Sequence, residues 1–353
     1  MSLPTRKIGN TDVTAIGFGA MGLGTISSYG PTTSMEERLA LLDAVYESGC
    51  TNWDTADVYG ECEDVLGTWF KRSGKRNEIF LATKFGFVFR ETMGIDGSAE
   101  YVKAAFSKSL QRLGVDTIDL YYLHRPDPTV PIEITVGAMA EFVKAGKVKY
   151  LGLSECSAQT LRRAHAVHPI SALQIEYSPF ILDIEDEKVG LLKAARELGV
   201  AIVAYSPLGR GLLTGSIVRI FRFFHSGETD WLIIDLVIRN LLGTSQKVTS
   251  GAWSHENFPN ILKIVEGLKA IGDRHGATSG QVSLAWLLAQ GDVIPIPGTK
   301  KIKYLKENVG ALKLQLAEKD IAEIRAIAEA ADLPGERYPA IMMSVLFGDT
   351  PAL

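Results

Sequence analysis

Eight short apolar segments recur along the 353-residue chain, near residues 16, 51, 79, 118, 150, 172, 201 and 293, with stretches of helical spacing between most of them. Almost every residue in each segment is apolar, as expected of parallel strands covered on both faces. Eight β/α units in a chain of this length predict an α/β fold, a closed (β/α)8 TIM barrel forming a single domain over residues 1–353. An open doubly wound sheet is the runner-up, and it would carry a dinucleotide fingerprint after its first strand. Gly17-Phe18-Gly19-Ala20-Met21-Gly22 does match G-x-G-x-x-G. That motif has meaning only where it opens a helix. Here Leu23-Gly24-Thr25-Ile26-Ser27-Ser28-Tyr29-Gly30-Pro31 reads as loop, so the glycines are read as places where backbone turns tightly or approaches a ligand.

The elements follow in order. Arg6 to Val13 reads as an N-terminal β-hairpin around Gly9-Asn10. Ile16–Gly19 is a buried strand. Glu37–Glu47 is a helix with Leu41, Leu42 and Val45 on one face, stopped by Gly49. Strand Thr51–Asp54, helix Glu63–Lys71 and strand Ile79–Lys84 come next. Ser98 caps a helix that runs to Leu113, buries Ala105, Leu110 and Leu113, and ends at Gly114. The alternation continues with strand Ile118–Leu123, helix Ile132–Ala145, strand Tyr150–Ser154 and helix Ala158–Val167. Strand Ala172–Tyr177, helix Glu187–Leu198 and strand Ala201–Tyr205 follow. After an interruption come helices Asn260–His275 and Ser279–Ala289, strand Val293–Pro297, helices Ile302–Val309 and Ala317–Ala330, and a Pro-containing tail.

The composition, 46% hydrophobic and 22% charged, is that of a globular protein. A net charge of −4 gives no broad basic surface for nucleic acid or anionic membrane. Three widely spaced cysteines, Cys50, Cys62 and Cys156, suggest neither a disulfide framework nor a metal site. A reducing, cytoplasmic setting is expected. The N-terminus lacks an apolar signal region, and no run of about 18 apolar residues predicts a membrane span.

In a barrel, reactive groups gather at the C-terminal ends of the strands. Asp54, Lys84 and His124 each end an apolar run, and Tyr59 lies in the loop just beyond Asp54. Taken singly, such a histidine is more often structural and such a lysine solvated. Three successive strand ends bearing ionisable groups are a less probable accident. A phenol has a pKa near 10, which an adjacent ammonium lowers. Lys84 supplies the ammonium, Asp54 holds it charged, and His124 orients a carbonyl oxygen or shares the proton. The result is a general acid for an oxyanion as it forms. Carbonyl reduction requires this, with the hydride coming from a nicotinamide because no side chain supplies one.

Trp53-Asp54-Thr55-Ala56-x-x-Tyr59-Gly60, Leu81-Ala82-Thr83-Lys84 and Leu123-His124-Arg125 resemble the three catalytic stretches of the aldo-keto reductase family, and the resemblance spans nearly the whole chain. It implies a catalytic tetrad of Asp54, Tyr59, Lys84 and His124, with Tyr59 as proton donor and Tyr59 and His124 meeting the small-molecule carbonyl substrate. It also implies cofactor contacts at Gly19, Ala20, Met21 and Asp54, at Ser154 in Gly152-Leu153-Ser154-Glu155, and at Gln174 on the next strand. Many relatives have Asn where this chain has Glu155. Tyr205 resembles the aromatic that stacks on the nicotinamide, and Ser206, Pro207, Leu208, Gly209 and Arg210 the segment that receives the pyrophosphate. Gly298, Thr299 and Lys300, with Glu307 and Asn308, look like the adenosine end. Lys300 and Lys301 alone would read as a solvated pair. In this position a lysine can pair with a 2′-phosphate, so NADPH is the expected cofactor. No metal is implied.

Gly146 to Gly152 and the tail Gly335-Glu336-Arg337-Tyr338-Pro339 resemble the branch of pyridoxal-reductase-like and auxin-induced-type enzymes. Tyr338 and Met342 are candidates to border the substrate. The same fold also serves as a cofactor-binding regulatory subunit, as in potassium-channel β subunits, which keep a similar tetrad. The lack of an evident partner-binding extension at the N-terminus argues against that role. A pseudoenzyme is a third reading, because residues 216–253 depart from the family pattern. Ser216-Ile217-Val218-Arg219-Ile220-Phe221-Arg222-Phe223-Phe224-His225 and Trp231 to Val237 are apolar where relatives carry a polar loop. This segment is either a lid for an apolar substrate or a translated intron. The absence of turn chemistry favours the intron. Sequencing the mature transcript decides between them: codons for Ile217 to Ser250 in that message would sink the intron reading.

Overall fold

The computed structural model describes residues 3–24, 33–89, 93–215 and 257–353, except 332, 334, 337 and 339–342. The atypical stretch 216–253, the loop residues 25–31, and Met342 lie outside the described residues. The chain opens with the expected hairpin, β1 Thr5–Ile8 and β2 Thr11–Thr14, followed by β3 Phe18–Gly19. Then come α1 Met35–Glu47, β4 Asn52–Asp54, α2 Cys62–Ser73 and β5 Phe80–Phe85. A second hairpin, β6 Phe87–Phe89 and β7 Met93–Ile95, leads to α3 Ala99–Leu113 and β8 Ile118–Leu123. The alternation runs on through α4 Ile132–Lys144, β9 Val148–Ser154, α5 Ala158–Val167, β10 Ile170–Glu176, α6 Leu191–Glu197 and β11 Ala201–Tyr205. It ends with α7 Phe258–His275, α8 Ser279–Ala289, β12 Val293–Pro295, α9 Ile302–Gly310 and α10 Glu318–Ala330.

Eight strands pair in parallel in the order β12-β11-β10-β9-β8-β5-β4-β3. The ends of this sheet meet, because Gly17 N donates to Pro295 O at 2.9 Å and Gly19 N to Pro297 O at 3.4 Å. The sheet is therefore the (β/α)8 barrel that the segment count predicts. Side chains alternate along each strand. Phe80, Ala82, Leu120, Tyr122, Ala172, Val203, Ile294 and Ile296 form one interior cluster, which Ile8 and Val13 of the N-terminal hairpin join. The outward set packs under the helices: Trp53 of β4 lies 4.7 Å from Trp69 and 6.0 Å from Phe70 of α2, centroid to centroid.

Local signals explain the helix starts. Ser34 and Glu37 form a capping box on α1, Ser98 accepts from Tyr101 N, and Ser157 from Thr160 N. Four expectations are corrected. Strand Ile16–Gly19 contracts to Phe18–Gly19. Strand Val293–Pro297 contracts to Val293–Pro295, since Pro295 and Pro297 lack a ladder N–H. Helix Glu187–Leu198 begins only at Leu191, because Gly190 before it is left-handed at φ +60°. Leu110 is only partly buried, with Val102, Ala105, Phe106, Ser109 and Leu113 forming the buried face of α3. The hairpin β6–β7 has no counterpart in the sequence reading.

Among the described residues no helix is long and apolar enough to cross a membrane, and no group of three His, Cys, Asp or Glu could hold a metal ion.

Candidate active site

The alternation that builds the barrel interior also positions the polar groups at its C-terminal rim. Asn52 and Asp54 share a face, as do Ala82 and Lys84, Leu120, Tyr122 and His124, Gly152 and Ser154, and Gln174 and Glu176. Register brings them level: Asp54 pairs with Ala82, Lys84 with Tyr122, Tyr122 with Gly152, and Ser154 with Gln174.

Lys84 lies at the centre and is wholly buried. Its Nζ donates to Asp54 Oδ1 and, at 2.7 Å, to Thr55 O. It lies 5.0 Å from the centroid of the Tyr59 ring. Burial disfavours the ammonium, but the Asp54 carboxylate and the Tyr59 oxygen outweigh it and raise the pKa of Lys84, so the charge is held. Asp54 is itself pushed up by burial, against the pull of Lys84, and Gln174 Nε2 donates to its Oδ2 at 2.8 Å. The side chain of Gln174, expected among the cofactor contacts, thus braces Asp54.

Tyr59 is half-buried in the turn after β4 and stands edge-on to His124, centroids 5.7 Å apart. One expectation is corrected here. Lys84 does pull the phenol pKa down, as does Arg125, but burial and the Asp54 carboxylate raise it more, so the balance is upward. Tyr59 is therefore held as a phenol. His124 is pushed well below the ordinary histidine range by burial, then by Arg125 and Lys84, and is neutral. Its Nδ1 is buried with no hydrogen-bond partner among the described residues. The turn carrying Tyr59 is tightly enclosed: a Cβ built on Gly24 would come within 1.8 Å of Tyr59 O.

Beside this cluster lies a second one that sequence reasoning touched only in part. Arg125 is buried and donates to His124 O at 2.7 Å and to Ser154 Oγ at 3.2 Å. Glu155 is fully buried in the left-handed region at φ +53°, a conformation that asparagine adopts more readily than glutamate. Its Oε1 accepts from the Tyr205 hydroxyl at 2.8 Å and from Glu176 N at 3.2 Å. Tyr338 donates to Glu176 Oε2 at 2.9 Å, and Arg210 lies over the Tyr338 ring at 4.6 Å. The tail residue therefore reaches both a strand end and the expected cofactor segment. Glu176 was missed, although its two-residue spacing from Gln174 places it on the same inward face.

The remaining expected cofactor residues form a connected belt. A Cβ on Gly298 would lie 2.8 Å from Gly19 O, and one on Gly22 3.6 Å from Lys300 Cγ. Ala20 and Met21 sit in the 3-10 turn between Gly19 and Gly24, and Thr299 Oγ1 accepts from Lys301 N at 3.1 Å. Ser206, Gly209, Arg210 and Gly211 all have positive φ, so the chain folds back sharply after β11. Pro207 O accepts from Ser283 Oγ at 2.9 Å. A Cβ on Gly280 would lie 3.6 Å from Glu307 Oε1 and 3.7 Å from Leu208, while Asn308 is buried beside them on α9.

The parallel barrel thus gathers a lysine, a carboxylate, a phenol and a neutral imidazole at its C-terminal rim. The comparisons place the chain among the NADP-dependent oxidoreductases. The family model described as "Aldo/keto reductase family" matches residues 15–329, and the chain belongs to that family. It is 56% identical over 357 aligned residues to the aldo-keto reductase str7 of Strobilurus tenacellus, covering 100% of this chain and 99% of that one. It is 46% identical to the aldo-keto reductase yakc [NADP(+)] of Schizosaccharomyces pombe, again covering 100% and 99%. Among solved structures, a thermostable aldo-keto reductase in complex with the inhibitor epalrestat superposes with a TM-score of 0.69 and 28% identity, over 92% of this chain and 100% of that one.

Asp54→Ala would leave the Lys84 ammonium buried and uncompensated. Chemical denaturation should show a loss of about 3–5 kcal/mol, the usual cost of breaking a buried pair. A loss below about 1 kcal/mol would mean that the pair is not what holds this end of the barrel together.

Proposed function

We propose that the protein reduces an aldehyde or ketone to the alcohol, with NADPH as hydride donor and Tyr59 as proton donor. The observation that carries this reading is the Lys84 ammonium bonded to Asp54 and set 5.0 Å from the centre of the Tyr59 ring, with neutral His124 across from the phenol. The nicotinamide, when held at this rim, would supply the hydride for the carbonyl carbon. Tyr59 gives its proton to the carbonyl oxygen as negative charge grows there. The phenolate left behind is stabilised by Lys84 and regains its proton from solvent. The neutral imidazole of His124 can hold the carbonyl oxygen by hydrogen bonding without competing as an acid.

The belt around the rim suits a dinucleotide. Gly19 and Gly298 let two backbones meet with no side chain between them, which holds the first and last strands together where the rim would receive the cofactor. The positive-φ turn at Ser206 to Gly211 suits backbone contacts to a pyrophosphate. Tyr205, its hydroxyl tied to Glu155, offers a fixed ring for the nicotinamide. The partly buried Lys300 beside Gly22 suits the 2′-phosphate that distinguishes NADPH. The relative yakc carries NADP(+) in its name, in accord with this choice.

Tyr59→Phe should abolish turnover of 4-nitrobenzaldehyde while NADPH still quenches intrinsic fluorescence; retained turnover would break the mechanism. Because burial holds Tyr59 protonated and keeps His124 neutral, the wild-type reductive rate should hold through alkaline pH and decline only above about pH 10. A kcat profile with a limb near the ordinary histidine pKa would contradict the assignment of His124. Lys300→Ala should weaken NADPH binding by about tenfold or more and leave NADH binding unchanged, read by fluorescence titration.

A further inference from the structure

The strand ladder releases the chain two residues before Tyr59. Thr55 N donates to Ala82 O at 2.9 Å and Asp57 N to Lys84 O at 3.0 Å, which ties the backbone to β5 as far as Asp57. Beyond that, Tyr59 N bonds Ala56 O, and Cys62 N bonds Tyr59 O, both at 3.2 Å. These are contacts within the turn itself, and they do not fix the turn against the barrel.

Arg112, near the end of α3, meets the turn from the other side. Its Nη1 donates to Asp57 O at 2.9 Å, and its Nη2 donates to Gly60 O. The two carbonyls stand on either side of Tyr59 in the chain. The rest of the guanidinium is held in turn. Nε donates to Asp64 Oδ2 at 3.0 Å and Nη2 to the same oxygen at 2.8 Å. Nη1 also pairs with Glu63 Oε2 at 3.1 Å. Glu63 is fully buried, and its Oε1 accepts from Thr83 Oγ1 at 2.7 Å. Thr83 is the residue before Lys84. One rigid fork thus links the turn bearing the phenol to the strand bearing the ammonium.

Close helix packing sets the depth of the fork. A Cβ on Gly67 of α2 would come within 2.4 Å of Arg112 O. Only glycine at that position lets α3 lie this close to α2. Gly24 also closes against Tyr59 O, within the same turn.

We infer that Arg112 is a positioning residue for Tyr59, clamping the carbonyls of Asp57 and Gly60 so that the phenol is held at Lys84. The inference rests on Tyr59 being the proton donor. A planar guanidinium with five donors can span two carbonyls and two carboxylates together; a lysine ammonium is a compact point charge and cannot. Geometric error of about 1 Å at a reacting group can cost on the order of a hundredfold in rate.

The test uses the full-length protein with NADPH and 4-nitrobenzaldehyde, and compares Arg112→Lys, Asp64→Asn and Tyr59→Phe. Arg112→Lys should lower kcat by roughly ten- to a hundredfold, leave the NADPH dissociation constant within about twofold, and raise the solvent deuterium isotope effect on kcat. Asp64→Asn loosens the far side of the fork from an exposed position. It should give a smaller fall in kcat of the same kind even if the lysine variant does not fold. Arg112→Lys or Asp64→Asn with wild-type kcat would overturn the proposal. So would a loss of kcat matched by an equal loss of NADPH binding, which marks a structural role alone. Tyr59→Phe separates the two claims: activity in that variant sinks the proton-donor reading, whereas an inactive Tyr59→Phe beside an unimpaired Arg112→Lys sinks the clamp alone.

Discussion

A fully buried ammonium cannot stand alone, and the rim of this barrel is built around that constraint. Moving Lys84 out of water costs several kcal/mol unless its charge is met by a nearby anion and its donors by acceptors. Asp54 and Thr55 O meet them. Asp54 must then be held itself, and Gln174 reaches across from β10 to do so. The strands that carry these residues are fixed in register by the hydrogen-bond ladder, so the ion pair and the barrel depend on one another. Breaking either leaves a charge where solvent cannot reach it.

This arrangement explains why the phenol remains protonated. An ammonium beside a tyrosine is expected to lower its pKa, and Lys84 does pull in that direction. Burial and Asp54 pull harder the other way. A donor that keeps its proton until an oxyanion forms, next to a cation that can receive the resulting phenolate, suits the proposed reduction better than a tyrosine already part-ionised. The same burial keeps His124 neutral. One desolvated pocket thus holds a cationic lysine, a neutral phenol and a neutral imidazole, each state set by its neighbours.

Much of the scaffold was legible because its signals are local. Ser98 and the glycines after the helices mark their own ends, and continuous apolar runs mark the strands. The discrepancies also have local reasons that simple periodicity does not capture. Proline at 295 and 297 truncates β12, and left-handed Gly190 delays α6. Hairpin β6–β7 escaped notice because its strands are only three residues each.

Asp54, Tyr59, Lys84 and His124 could be singled out from the sequence because each is an ionisable group at or just beyond an apolar run, and a barrel gathers such ends on one rim. The sequence by itself determined the fold class, the set of candidate groups and the family resemblance. Only the tertiary structure decided their states and their supports. Gln174 turns out to brace Asp54, Glu155 holds Tyr205, and Tyr338 from the tail joins Glu176 to Arg210. Arg112 and Glu63 lie on helices whose sequence positions give no hint that they meet the turn of Tyr59. The physical reason is that a pKa depends on the whole surroundings of a group, and a clamp on the depth at which two helices pack. Both are sums over residues far apart in the chain, and they become readable only once the chain has closed.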